Sequence, residues 1–199
     1  DVLRVPIAID TDVNAAALAE WKLGAARGLN GCVYFTVGTG IGGGVVSGGK
    51  IIHGLVHLEL GHVLLRPMPN DPLPQGVCPF HIGCAEGLAC GVAMERRWGS
   101  RAEELPNDHP AWELEADYLA QLCADAVVCD SPERIVMGGG VMHNPILLPM
   151  IRQKTTALLG GVGALAHDAL LKAMNAKSWD TCIADTMLMW SSDSQKRAS

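Results

Sequence analysis

Seven residues, CPFHIGC from Cys78 to Cys84, constrain this chain more than any others. Two thiols and an imidazole recur at three-residue steps inside a loop rich in Pro and Gly. Zinc takes four ligands in a tetrahedron, so three soft donors in one loop call for a fourth from elsewhere. His53, His57 and His62 all lie upstream. His62 follows Gly61 at the start of GHVLLRP, which reads as a strand feeding the loop, so closure of the loop brings it back to Cys78. Two loop cysteines beside a solvated histidine are the competing reading. A closed, four-coordinate site of this kind is structural, because a catalytic zinc keeps one position open. The seven cysteines are odd in number and irregularly spaced, unlike a secreted disulfide framework, and a reducing cytoplasm is the expected compartment.

The rest of the chain alternates strand and helix patterns, the mark of an α/β fold. Val5–Ile9 is expected as a short apolar strand. An Ala-rich helix follows over 12–28, with Val13, Ala17 and Trp21 on one stripe and Gly28 as its stop. Cys32–Val37 reads as a strand, and VVSGGKIIHG as a hairpin turning at Gly48 and Gly49. Helices are expected over Ala85–Trp98 and Ala111–Asp130, the second with Leu114, Tyr118, Leu119, Leu122 and Cys123 on one face. RIVMGGGVM reads as a buried strand running into a glycine turn, with another helix beyond Asn144. A net charge of −6 and no run of Lys and Arg disfavour a nucleic-acid partner. No apolar stretch reaches the roughly 18 residues that span a bilayer.

Three features suggest chemistry. TVGTGIGGG places a glycine turn directly after a buried strand, where backbone N–H groups can face an anion and Thr36 and Thr39 add hydroxyls. Glycine-rich hairpins also arise for purely steric reasons. GGG at Gly138 to Gly140 is a second turn of that type. Finally, IDTDVNAAALAE ends a strand in Asp10 and Asp12 and opens a helix. Asp12 suits a helix N-cap, with Thr11 as the competing cap, and it equally suits a general base at the carboxyl end of a strand.

Taken in order, DTDVNAAALAEWKLGAARGL, YFTVGTGIGGG, HLELGH, CPFHIGCAEGLA and PERIVMGGGVMH resemble the ROK family of repressors and sugar kinases, within it the zinc-containing bacterial fructokinase branch. The resemblance runs from Pro6 to Pro149. It implies the actin-like (ribonuclease H-like) sugar-kinase fold, in which two α/β lobes close over a hexose and ATP, with Mg²⁺ accompanying the nucleotide. It implies Asp12 as catalytic base. Thr39 and Gly40 would form a phosphate-binding turn, and Gly138, Gly139 and Gly140 the adenosine-side turn. Glu59, His62 and Glu86 would face the sugar, and His62, Cys78, His81 and Cys84 would hold a structural zinc. It also implies a cytoplasmic homodimer.

Departures accompany the resemblance. The family's first phosphate motif, an Asp-x-Gly-Gly-Thr turn, is absent, so most of the small lobe is expected to lie outside these residues. Residues 1–30 then read as its remnant with the interlobe catalytic helix, 31–170 as the large lobe with the zinc loop, and 171–199 as a tail without clear pattern. Cys90 stands where a small Ser is expected. The implied activity is transfer of phosphate from ATP to a hexose, fructose first, giving fructose 6-phosphate. Another hexose kinase (glucose, mannose or an N-acetylated amino sugar) and a non-catalytic sugar-sensing module are the alternatives. With one phosphate wall missing, residues 1–199 alone are expected to bind zinc and not to phosphorylate fructose.

Overall fold

The structure, a computed structural model, describes residues 9–160 and a strand at 175–177. The strand expected at Val5–Ile9 falls outside the described residues except for Ile9, as does most of the tail. The described part is α/β. Five strands form one sheet: β1 Cys32–Val37, β2 Ile41–Ser47, β3 Lys50–Ile51, β4 Ile135–Gly138 and β5 Asn175–Lys177, in the order β3-β2-β1-β4-β5. β2 pairs antiparallel with β1 and β3, whereas β4 runs parallel to β1 and β5. The helices are α1 Asp12–Lys22, α2 Ala85–Ala89, α3 Gly91–Trp98, α4 Ala111–Asp130 and α5 Leu147–Leu159.

β1 is apolar apart from Thr36 because it is covered on both faces. Its side chains alternate with the pleat. Val33, Phe35 and Val37 join the larger core with Leu88, Met94, Leu119, Leu122 and Ile151 of α2–α5. Cys32 and Tyr34 join a smaller core with Ala16, Ala17 and Ala19 of α1. Burial pushes the Cys32 and Cys123 thiols up to about 12, which marks them as inert core residues.

Three expectations about elements change. The Ala-rich helix stops at Lys22, well short of Gly28. The buried Glu20 folds back and accepts the Ala25 N–H at 2.7 Å, and a Cβ at Gly24 would strike that carboxylate. GHVLLRP is not a strand: Leu60–His62 is one 3₁₀ turn, followed by an isolated bridge between Leu64 and Cys84. The helix expected over Ala85–Trp98 is two helices broken at Cys90, whose thiol caps α3 by accepting from the Ala93 N–H at 3.4 Å. That capping is the work of a small Ser, and a thiol performs it here. The hairpin at Gly48 and Gly49 is present, both glycines having positive φ.

A buried charged knot joins the Pro-rich loop to the helices. Arg97 of α3 and Asp71 form an ion pair at 2.7 Å with both side chains essentially inaccessible. Asp71 also accepts from the Tyr118 hydroxyl at 2.6 Å and the Leu73 N–H at 2.7 Å, and Arg97 donates to the Leu88 carbonyl. Glu115 lies near this knot, fully buried, and among the described residues neither of its oxygens has a hydrogen-bond partner. Burial raises its carboxyl well above the ordinary value, with Arg97 pulling it down and Asp71 pushing it up. A carboxyl raised in the folded state takes up a proton on folding, so stability falls as pH climbs above the ordinary Glu value of about 4.3. Glu115→Met is therefore expected to raise the melting temperature at pH 8 and to lose that advantage as pH approaches 4. An equal gain at both pH values would contradict this account of Glu115.

Candidate active site and metal centre

The antiparallel and parallel partners of β1 determine where its glycine turn lies. In the parallel pair with β4, Thr36 sits opposite Gly138, so the turns that follow both strands emerge side by side at one edge of the sheet. Such an edge is where open α/β sheets bind ligands. Gly139 has φ +95°, and a Cβ there would lie 2.4 Å from the Val37 carbonyl oxygen, so this crossing admits only glycine. Gly38, Thr39 and Gly140 line one cleft of about 660 Å³, together with Glu95, Arg101, Glu103 and His143. Those last four side chains carry no local sequence signal; only the fold brings them to the cleft.

The glycines of TVGTGIGGG divide by role. Gly38 to Gly40 make the turn, with the Gly38 N–H donating to the Gly40 carbonyl at 2.9 Å. Gly42 and Gly44 are steric instead. They face α1, and a Cβ at Gly44 would meet the Val13 carbonyl oxygen at 2.7 Å. The steric reading of this motif thus holds for Gly42 and Gly44.

Close packing on these glycines brings the first turn of α1 to the same region. Thr11 is the N-cap, its hydroxyl accepting from the Asn14 N–H at 3.1 Å. Asp12 is therefore not the cap. It occupies the first helical position, exposed, and among the described residues accepts from the adjacent Val13 N–H at 2.9 Å. The next side chain, Val13, packs on Gly42 at the turn-proximal end of β2. Asp10 takes the structural duties: it accepts from Asn14 at 2.7 Å and the Thr11 N–H at 2.8 Å, and pairs with His53 at 2.8 Å. Partial burial works to raise the Asp10 carboxyl, but Asn14, the Thr11 N–H and His53 outweigh it and hold it below its ordinary value.

His62, Cys78, His81 and Cys84 converge, their ligand atoms all within 4.8 Å of one another. Zn–S bonds of about 2.3 Å and Zn–N bonds of about 2.0–2.1 Å at tetrahedral angles require S···N edges of about 3.6 Å. Three of the four such edges are 3.7, 3.8 and 3.9 Å, and the fourth, Cys84 to His81, lies within 4.8 Å. The donors thus fit a tetrahedral ion. The backbone holds them in place: Leu65 donates to the Gly83 carbonyl and Ala85 to that of Val63, both at 2.8 Å, which lays the segment after His62 beside Cys84. Val77 donates to the Gly87 carbonyl at 2.8 Å and seats Cys78 against α2.

The two remaining site carboxylates are separate. Glu59 is exposed and pairs with His57 at 2.7 Å. Glu86 turns to the glycine loop, where one of its oxygens accepts the Ile41 N–H at 3.0 Å.

The sequence over residues 1–178 matches the ROK family. This chain belongs to it. A fructokinase of Zymomonas mobilis is 49% identical over 155 residues, 77% of this chain and 52% of that protein. A ROK hexokinase of Thermus thermophilus superposes with a TM-score of 0.68 at 34% identity, over 84% of this chain and 65% of that one. A ROK family glucokinase of Streptomyces griseus, solved with glucose and AMPPNP, gives 0.65 at 25% identity, over 79% and 60%. The ROK chain described here therefore has the actin-like fold of these sugar kinases. It spans about half the length of the curated relatives it matches. Among the described residues no helix is long and apolar enough to cross a membrane.

Proposed function

We propose that this ROK protein is an ATP-dependent hexose kinase that converts fructose to fructose 6-phosphate. The observation that carries the reading is the convergence of both glycine turns on one cleft, with the first turn of the Asp12 helix packed on Gly42, two residues beyond Gly40. A sugar hydroxyl is a weak nucleophile, and the exposed Asp12 carboxylate would accept its proton as it attacks the γ-phosphorus. The Gly38–Gly40 turn, with Thr39, would face the phosphates, and the turn of Gly138 to Gly140 the adenosine. Negative charge on the transferred group calls for such preorganised donors, and ATP enters as its Mg²⁺ complex. Glu59, His62 and Glu86 would line the hexose side. His62, Cys78, His81 and Cys84 would hold zinc, which when bound cross-links the Pro-rich loop to the Leu60–His62 turn.

In this reading residues 31–170 form the large lobe, 1–30 carry the interlobe helix and 171–199 are a tail. The protein works as a cytoplasmic homodimer. Fructose is favoured over other hexoses by the fructokinase names of several relatives between 38% and 49% identical. A second hexose is supported by the glucose seen in the Streptomyces griseus glucokinase. Rates with fructose, glucose, mannose and N-acetylmannosamine, measured on the full-length gene product, separate these. The highest kcat/KM is expected with fructose; a tenfold preference for another hexose would replace it.

A further inference from the structure

Two metal-ligand segments grip one residue of the glycine turn. Ile41, the first residue after Gly38–Gly40, has its N–H on Glu86, two residues beyond the ligand Cys84. On its other side lies Gly61, which immediately precedes the ligand His62. A Cβ at Gly61 would fall 1.9 Å from the Ile41 carbonyl oxygen, so Gly61 backbone rests directly on that peptide. The Glu86 carboxylate also fills the space beside Gly40, where a Cβ would meet it at 2.5 Å. A third contact comes from the same α2–α3 unit, the Gly91 N–H donating to the Gly38 carbonyl at 2.7 Å. Both of these hydrogen bonds thus come from the segment that begins at Cys84.

We propose that Glu86 is a positioning residue for the Gly38–Ile41 turn, and that joining His62 to Cys84 through the metal closes Gly61 and Glu86 on Ile41 like the jaws of a clamp. The inference rests on the metal reading above and needs no nucleotide or sugar. It gives the metal centre a task on the phosphate side of the cleft, not only at the sugar. The physical reason is reach: the Leu60–His62 turn and α2 are each short, so a ligand atom and its gripping neighbour move together. Releasing one ligand lets one jaw withdraw, and the Ile41 amide then loses its acceptor to water.

Amide exchange tests this on the full chain, as purified and after chelation, with metal content measured on the same samples. One zinc per chain is expected, and it is expected to be lost in Cys78→Ser. Chelation is expected to speed exchange at Ile41 by tenfold or more while residues 114–126 of α4 and 135–138 of β4 keep their protection. In Glu86→Ala, Ile41 is expected to exchange fast both before and after chelation, although the variant as purified still binds zinc. Glu86→Gln, which keeps a side-chain acceptor, is expected to restore part of the protection. If no metal is bound, the metal reading falls and this one with it. If metal is bound but chelation leaves Ile41 unchanged, or loosens α4 and β4 equally, only the clamp is overturned. The wild-type comparison decides the matter even if Glu86→Ala does not fold.

Discussion

Asp12→Asn is expected to lower kcat for fructose phosphorylation by about 10²-fold or more in the full-length gene product, with little change in KM or melting temperature. The structure makes this substitution informative. Thr11, not Asp12, caps the helix, so Asn at position 12 leaves the cap untouched. Asn also keeps an oxygen that can accept from the Val13 N–H, as Asp12 does. What it loses is the ability to hold a proton. Steady-state kinetics and a thermal melt on the same preparation suffice. Activity within a few-fold of wild type would mean that the carboxylate does no chemistry.

Asp71→Ala is expected to cost about 3–5 kcal/mol of stability, because it leaves the Arg97 guanidinium buried without its counter-charge. The Tyr118 hydroxyl and the Leu73 N–H lose their acceptor as well. Denaturant unfolding measures the loss. The pH dependence has a definite sign. Burial works to raise the Asp71 carboxyl, but Arg97, Tyr118 and the Leu73 N–H hold it below its ordinary value. Its contribution is therefore complete above the unfolded value of about 3.9 and fades as pH falls through the lower folded one. The gap between wild type and Asp71→Ala should narrow in that acidic window. A gap below 1 kcal/mol at neutral pH would contradict the role given to this pair.

Asp71 also marks what a sequence conceals. It sits in a Pro-rich loop with no periodicity, and its partners Arg97 and Tyr118 lie 26 and 47 residues further on. A charged residue in such a loop reads as solvated, and only the closed loop buries it. The same holds for Glu95, Arg101, Glu103 and His143, which reach the cleft because β1 and β4 are parallel neighbours. Features with local signals were legible. The buried strands at Cys32 and Ile135 follow from unbroken apolar runs, and the long helix over Ala111–Asp130 from its spaced apolar face. The convergence of His62, Cys78, His81 and Cys84 was legible from spacing together with the resemblance to the family. Errors arose where tertiary contacts override local preference. The Ala-rich stretch has the propensity to continue past Lys22, but the Glu20 carboxylate takes the Ala25 amide and ends it. GHVLLRP has a strand's composition, yet Gly61 must lie flat on Ile41, which bends it into a turn.

The central claim is that the cleft between the two glycine turns and the Asp12 carboxylate together transfer phosphate from ATP to a hexose. Product analysis tests it most directly: incubate the full-length gene product with fructose and Mg-ATP, and identify the phosphorylated sugar by ³¹P NMR alongside ADP release. The account predicts fructose 6-phosphate formed in equal amount to ADP, at a turnover in the usual enzyme range of roughly 1 to 10³ s⁻¹, and slowed by about 10²-fold or more in Asp12→Asn. ADP released without any sugar phosphate, or no turnover with any hexose offered, would contradict it.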